Sequence, residues 1–112
     1  MRDTIFPILV TENGIGAPDI LEADGKIHDA YRIQFIREHL QQMRLAITDG
    51  VQILGYCPWA AIDVVSTHQG YRKRYGFIYV DREEFDLKEL KRFRKDSFYW
   101  YANVILENGQ NL

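Results

Sequence analysis

The chain is short of the features that would assign it to a specialised class. Its single cysteine, Cys57, leaves nothing for an intramolecular disulfide framework and fits a reducing compartment. No apolar run approaches the roughly 18–20 residues that cross a bilayer. The opening MRDTIFPILV lacks the long apolar core and cleavage site of a secretory signal. These absences set the expectation of a cytoplasmic protein with no membrane partner. Charge of one sign is scarce too: 14 Lys and Arg against 16 Asp and Glu leave a net charge of −2. Such a balance exerts no global pull on nucleic acid, and the RKR of 72–74 stands alone without a basic face around it. The histidines His28, His39 and His68 have no partners at metal-ligand spacing. Gly14-Ile15-Gly16 lacks the third glycine and the immediate helix of a dinucleotide loop. Neither a metal nor an organic cofactor is implied.

What is present is a globular composition, 46% apolar over 112 residues, enough for one domain at most. Residues 7–11 are continuously apolar and predict a fully buried strand. Gly14, Gly16, Pro18, Asp24 and Gly25 mark a loop. Asp29 is placed to cap a helix whose core face is Ala30, Ile33, Ile36, Leu40, Met43 and Ile47, ended by Asp49-Gly50. VQILGY, 51–56, predicts a second strand, with Cys57 as a small buried apolar residue at its end. A polar loop covers 63–76, in which Arg72 and Arg74 read as solvated charges. GFIYV, 76–80, is strand-like, 82–96 is densely charged, and a last helix presents Phe98, Tyr101 and Ile105 before Asn108-Gly109.

Two apolar strands joined by a long helix imply a parallel crossover. Parallel strands require cover on both faces and neighbours on both edges, which two strands and two helices do not supply. The fold class expected is α/β: two βα units of something larger. The C-terminal ends of parallel strands are where such folds carry chemistry. Glu12 closes the first strand; Trp59 and Asp63 follow the second. Taken alone, Glu12 is either a turn carboxylate or half of a catalytic pair, Trp59 either core or binding surface, and Asp63 is expected as a structural hydrogen-bond acceptor.

VTENG, then GYCPWAAIDVVSTHQGYRKRYGFIYVD, then KDSFYWY resemble the C-terminal quarter of glycoside hydrolase family 1, and within it the 6-phospho-β-glucosidases. The likeness runs from Pro7 to about Gly109. It implies a (β/α)8 TIM barrel, incomplete in this chain, with residues 1–112 forming the C-terminal part of a single barrel domain. The resemblance implies that strands 7 and 8 and their helices lie here; a whole barrel takes about 250 residues, more than this chain has.

The resemblance also implies roles. Glu12 matches the family's nucleophile, which in a retaining glycosidase works with a second carboxyl about 5–5.5 Å away. That partner belongs to an upstream Asn-Glu-Pro motif, which this chain does not contain. Trp59 matches the tryptophan beneath the sugar ring. Ser66, Lys73 and Tyr75 match the phosphate-binding set: a hydroxyl, an ammonium and a phenol around one dianion. Relatives acting on plain glucosides carry a glutamate at the position of Ser66, which would repel a phosphate. Thr67 stands where enzymes for 6-phospho-galactosides carry a bulky tryptophan, which favours the gluco configuration. The implied parent reaction is hydrolysis of a 6-phospho-β-glucoside through a glycosyl-enzyme on Glu12, the chain by itself being inactive. The alternative is a catalytically silent short protein that binds a sugar phosphate or serves as an association module. Self-association is expected in either case, because the strands leave open edges.

Overall fold

The computed structural model describes residues 6–112. Strand β1 (Ile8–Asn13) and strand β2 (Ile53–Pro58) pair in parallel, with Ile8 opposite Ile53, Leu9 opposite Gly55 and Asn13 opposite Pro58. Helix α1 (Ala30–Thr48) connects them. The expected crossover is therefore present. The register slips between Val10 and Asn13, so the end of β1 departs from a regular ladder where Glu12 sits.

Helix α1 runs 19 residues without glycine or proline. Gly50 stops it with φ +97°, a left-handed conformation that suits a residue without Cβ. Its most buried row is Arg32, Ile36, Leu40, spaced by four. The apolar stripe expected from the sequence is thus only half right: Ile36 and Leu40 are core, while Ala30 and Ile47 are exposed. Asp29 precedes the helix without capping it through its side chain. Its carboxylate is taken instead by Arg32 Nη1 (2.6 Å) and by the amide of Ser97 (2.9 Å).

Helix α2 (Asp96–Leu106) carries Asp96 in its first turn, where a negative charge complements the helix dipole. It packs beside α1 around Ile36, Leu40, Phe77 and Val104. Phe77 and Tyr101 stack with ring centroids 4.9 Å apart. Ile105, expected on the packed side, is 65% exposed, and Val104 takes that place. The densely charged stretch hides a further strand, β4 (Arg92–Arg94), antiparallel to β3 (Ile78–Val80), with Tyr79 opposite Phe93.

The β1–β2 sheet is not buried as the continuous apolar runs predict. Leu9 and Leu54 are 49% and 62% exposed. Cys57, expected inside, is exposed as well. Among the described residues each strand has a single paired neighbour, so one edge of each stays open. The result is a slab of 52 × 29 × 17 Å with a radius of gyration of 16.1 Å. A compact domain of this length has about 13 Å.

Candidate functional site

The loops leaving β1 and β2 come together at one end of the sheet. Asn13 ties them: its carbonyl accepts the Trp59 amide (2.7 Å), and its side-chain oxygen accepts the Tyr56 hydroxyl (2.7 Å). Burial, with Tyr101 nearby, pushes the Tyr56 phenol up to about 12, so it stays protonated and donates across the neutral range. Gly14 follows. A Cβ there would lie 1.8 Å from the Trp59 carbonyl oxygen, so no side chain fits between the two loops. The Trp59–Ala60 peptide is cis. Beyond it, Ala60 bonds Tyr75 and Phe77, drawing the 73–77 segment alongside.

These contacts shape a cleft of about 360 Å³ lined by Glu12, Asn13, Gly14, Trp59 and Tyr75. It falls within the size range of small-molecule sites. Glu12 and Trp59 are exposed to it, the indole at 44%. Lys73 is not part of that lining, but its Nζ lies 5.5 Å from the centroid of the Tyr75 ring. Gly16 seats both: a Cβ on it would meet the Tyr75 ring at 2.6 Å and the Lys73 stem at 2.8 Å. Three of the sequence-derived candidates, Glu12, Trp59 and Tyr75, therefore share one cleft, and Lys73 stacks on the third.

Ser66 and Thr67 are outside that lining, on a tight turn closed by reciprocal backbone bonds between Ser66 and Gly70. The buried Ser66 oxygen accepts the amides of His68 (3.3 Å) and Gln69 (3.2 Å). This arrangement orients the hydroxyl and leaves its hydrogen to donate. Thr67 is exposed and bonds His68 Nδ1 at 3.0 Å. Chemically, the cleft offers a carboxylate, a flat apolar ring and a phenol–ammonium pair. Among the described residues no second carboxylate lines it, and no cluster suited to a metal is present.

The loops that follow β1 and β2 are also joined by a network that sequence patterning missed. Lys95, with no exposed side chain, bridges Asp19 and Asp63 at 2.7 Å each. Arg74, expected as a solvated loop charge, is 6% exposed and pairs with Asp63 at 2.9 Å. Arg32 pairs with Asp19 and Asp29. Asp63 is a structural acceptor, as expected: it also takes the amides of Gly76 (3.0 Å) and Val80 (3.3 Å). Burial, joined by the charge of Arg32, holds the Lys95 ammonium below its ordinary value. One sequence signal pointed here. Arg32 stands four residues before Ile36 on the core row, with Asp29 three residues earlier, a spacing that pairs them on one helix face.

Residues 2–110 match the model of glycosyl hydrolase family 1, so the chain belongs to that family. It is 52% identical over 107 residues to the aryl-phospho-beta-D-glucosidase BglC of Bacillus subtilis, covering 96% of this chain and 22% of that protein. It is 48% identical over 107 residues to the 6-phospho-beta-glucosidase AscB of Escherichia coli, covering 95% and 23%. The family 1 β-glucosidase from Thermotoga maritima superposes with a TM-score of 0.83 at 40% identity, over 92% of this chain and 22% of that structure. The chain thus spans under a quarter of the length of these relatives.

Proposed function

We propose that this member of glycosyl hydrolase family 1 supplies one wall of the active site of a 6-phospho-β-glucosidase. In this reading β1 and β2 are strands 7 and 8 of a (β/α)8 barrel, and residues 1–112 are the C-terminal part of that single domain. Glu12 is the nucleophile. One carboxylate oxygen attacks the anomeric carbon, the glycosidic C–O bond breaks, and the leaving oxygen takes a proton from an acid elsewhere in the barrel. Water then cleaves the Glu12 ester with that same group acting as base, so configuration is retained. Trp59 carries the apolar face of the sugar. Ser66, Lys73 and Tyr75 hold the 6-phosphate, and Thr67 leaves room for the gluco substituents. No cofactor takes part, and a cytoplasmic site matches phosphorylated glycosides, which arise on sugar uptake.

The observation that carries this reading is the cleft itself. Glu12, Trp59 and Tyr75 line it together, and Lys73 lies against the Tyr75 ring with no acid paired to it among the described residues. An ammonium beside a phenol, with no carboxylate holding it, is suited to a dianion. The names of the relatives at about half identity, phospho-glucosidases, support the substrate class.

The test is Lys73→Ala in the full-length enzyme, assayed on 4-nitrophenyl β-glucoside with and without a 6-phosphate. A hydrogen bond to a charged group contributes about 1.5–3 kcal/mol, so kcat/KM on the phosphorylated substrate should fall roughly ten- to a hundredfold. The unphosphorylated substrate should change little. Equal losses on the two would remove Lys73 from the phosphate site.

A further inference from the structure

Arg74 sits between the two proposed phosphate ligands and faces away from them. Its backbone pairs with Ala17 in both directions, N–H to carbonyl at 3.0 Å and carbonyl from N–H at 3.1 Å. Arg74 is thus held in an isolated antiparallel bridge, directly after a bend at Lys73. Lys73 and Tyr75 both lie against Gly16. Arg74 projects inward, and every donor it uses is fixed. Nη1 donates to Asp63 (2.9 Å) and to the Val80 carbonyl (2.6 Å), and Nη2 to the Arg82 carbonyl (2.7 Å). Its guanidinium lies 3.9 Å from the centroid of the Tyr79 ring. Its own carbonyl accepts Arg32 Nη2 at 2.8 Å.

We propose that Arg74 is the positioning residue of the phosphate-binding segment, clamping the 73–75 backbone so that Lys73 and Tyr75 meet the phosphate in register. The inference rests on the functional reading above and deepens it. The clamp has five partners drawn from different parts of the chain: Ala17 after β1, Asp63 after β2, Val80 at the end of β3, Arg82 beyond it, and Arg32 on α1. None of them is among the residues lining the cleft. A guanidinium in a forked, stacked site is not replaceable by an ammonium, because its two terminal nitrogens reach an acid and two carbonyls together. Loosening it lets the segment shift, and a small shift moves two ligands at once.

The experiment is Arg74→Lys in the full-length enzyme. The substitution keeps the charge opposite Asp63 and loses the fork. KM for 4-nitrophenyl β-glucoside 6-phosphate should rise about tenfold, the scale of one charged hydrogen bond. Its kcat, and both parameters on the unphosphorylated glucoside, should stay within about threefold. Should Arg74→Lys fail to fold, Tyr79→Leu removes the stacked ring without changing charge and should shift the same ratio in the same direction. Equal loss on both substrates, in either variant, overturns the inference and makes the cluster a matter of stability alone. If the unmodified enzyme shows no preference for the phosphorylated glucoside, the functional reading itself falls, and that control is run first.

Discussion

Lys95→Met tests whether the network joining the loops after β1 and β2 is desolvated. Methionine keeps an unbranched apolar stem and removes the ammonium. In the native chain three acids, Asp19, Asp29 and Asp63, meet three bases, Arg32, Arg74 and Lys95, all buried but for Asp19, whose side chain is itself 1% exposed. The variant leaves one negative charge in excess. Asp63 still has Arg74 and two amides, and Asp19 still has Arg32 and the Tyr31 hydroxyl. Removing one partner of a buried pair costs about 3–5 kcal/mol. A chain of this size is stable by roughly 6–17 kcal/mol in all, so the loss takes a large share. Urea denaturation followed by circular dichroism measures it. The pH dependence supplies a second reading. Lys95 has a folded pKa below the ordinary 10.5, so between the two values the unfolded chain binds more protons and the native chain gains stability as pH rises. The variant lacks that gain. Tyr31 and Tyr56, raised chiefly by burial, act in the opposite sense above about pH 10, so the comparison belongs below that value. A loss under about 1 kcal/mol, the range of exposed pairs, would refute the claim that the cluster is dry.

Three further outcomes are expected. The purified 112-residue chain should not hydrolyse an aryl β-glucoside 6-phosphate, since its cleft offers one carboxylate and the mechanism needs two; turnover that vanishes in Glu12→Ala would refute this. The same chain should associate at micromolar concentration, because exposed Ile8, Leu9 and Leu54 line strands with open edges; a clean monomer by light scattering, with strongly protected amides at Ile8–Val10, would sink the idea. His28 should titrate above 6.5, held protonated first by its hydrogen bond to Asp96 (2.7 Å) and then by that charge. Its contribution is present below 6.5 and lost as pH rises through the raised value. Asp96→Asn should bring the midpoint down in an NMR titration, and an unchanged midpoint would show that the pair is not formed in solution.

What the sequence disclosed followed the strength of its local signals. The parallel pair and α1 were legible because apolar runs and a four-turn stripe are strong patterns. The burial of β1 was not, because a run apolar on both faces states what a strand is suited to, not what covers it in a given chain. Arg74 and Lys95 were hidden for a different reason. In a sequence, a lysine among KRFRKD and an arginine among YRKRY look like solvated charge. Their burial depends on Asp63 and Asp19, which lie 11 and 76 residues away.

That separation says something about how the site is built. Of the residues with recognisable chemistry, Glu12 ends β1 while Trp59, Lys73 and Tyr75 lie beyond the strands, and loops hold geometry poorly unless something rigid backs them. Here the backing is ionic rather than apolar. Asp19 belongs to the loop after β1, Asp63 to the loop after β2, Arg74 to the segment carrying Lys73 and Tyr75, and Lys95 to the start of α2. An apolar plug of the same volume would tolerate sliding, because contacts between hydrocarbon groups have no direction. Hydrogen-bonded charges do not slide without leaving a donor or acceptor unpaired, at a cost of about 1–3 kcal/mol or more each. The network thus exchanges net stability, which a buried pair seldom supplies, for a single relative placement of three loops. A nucleophile at the end of β1 and a phosphate site on a separate segment need that placement if one sugar is to reach both.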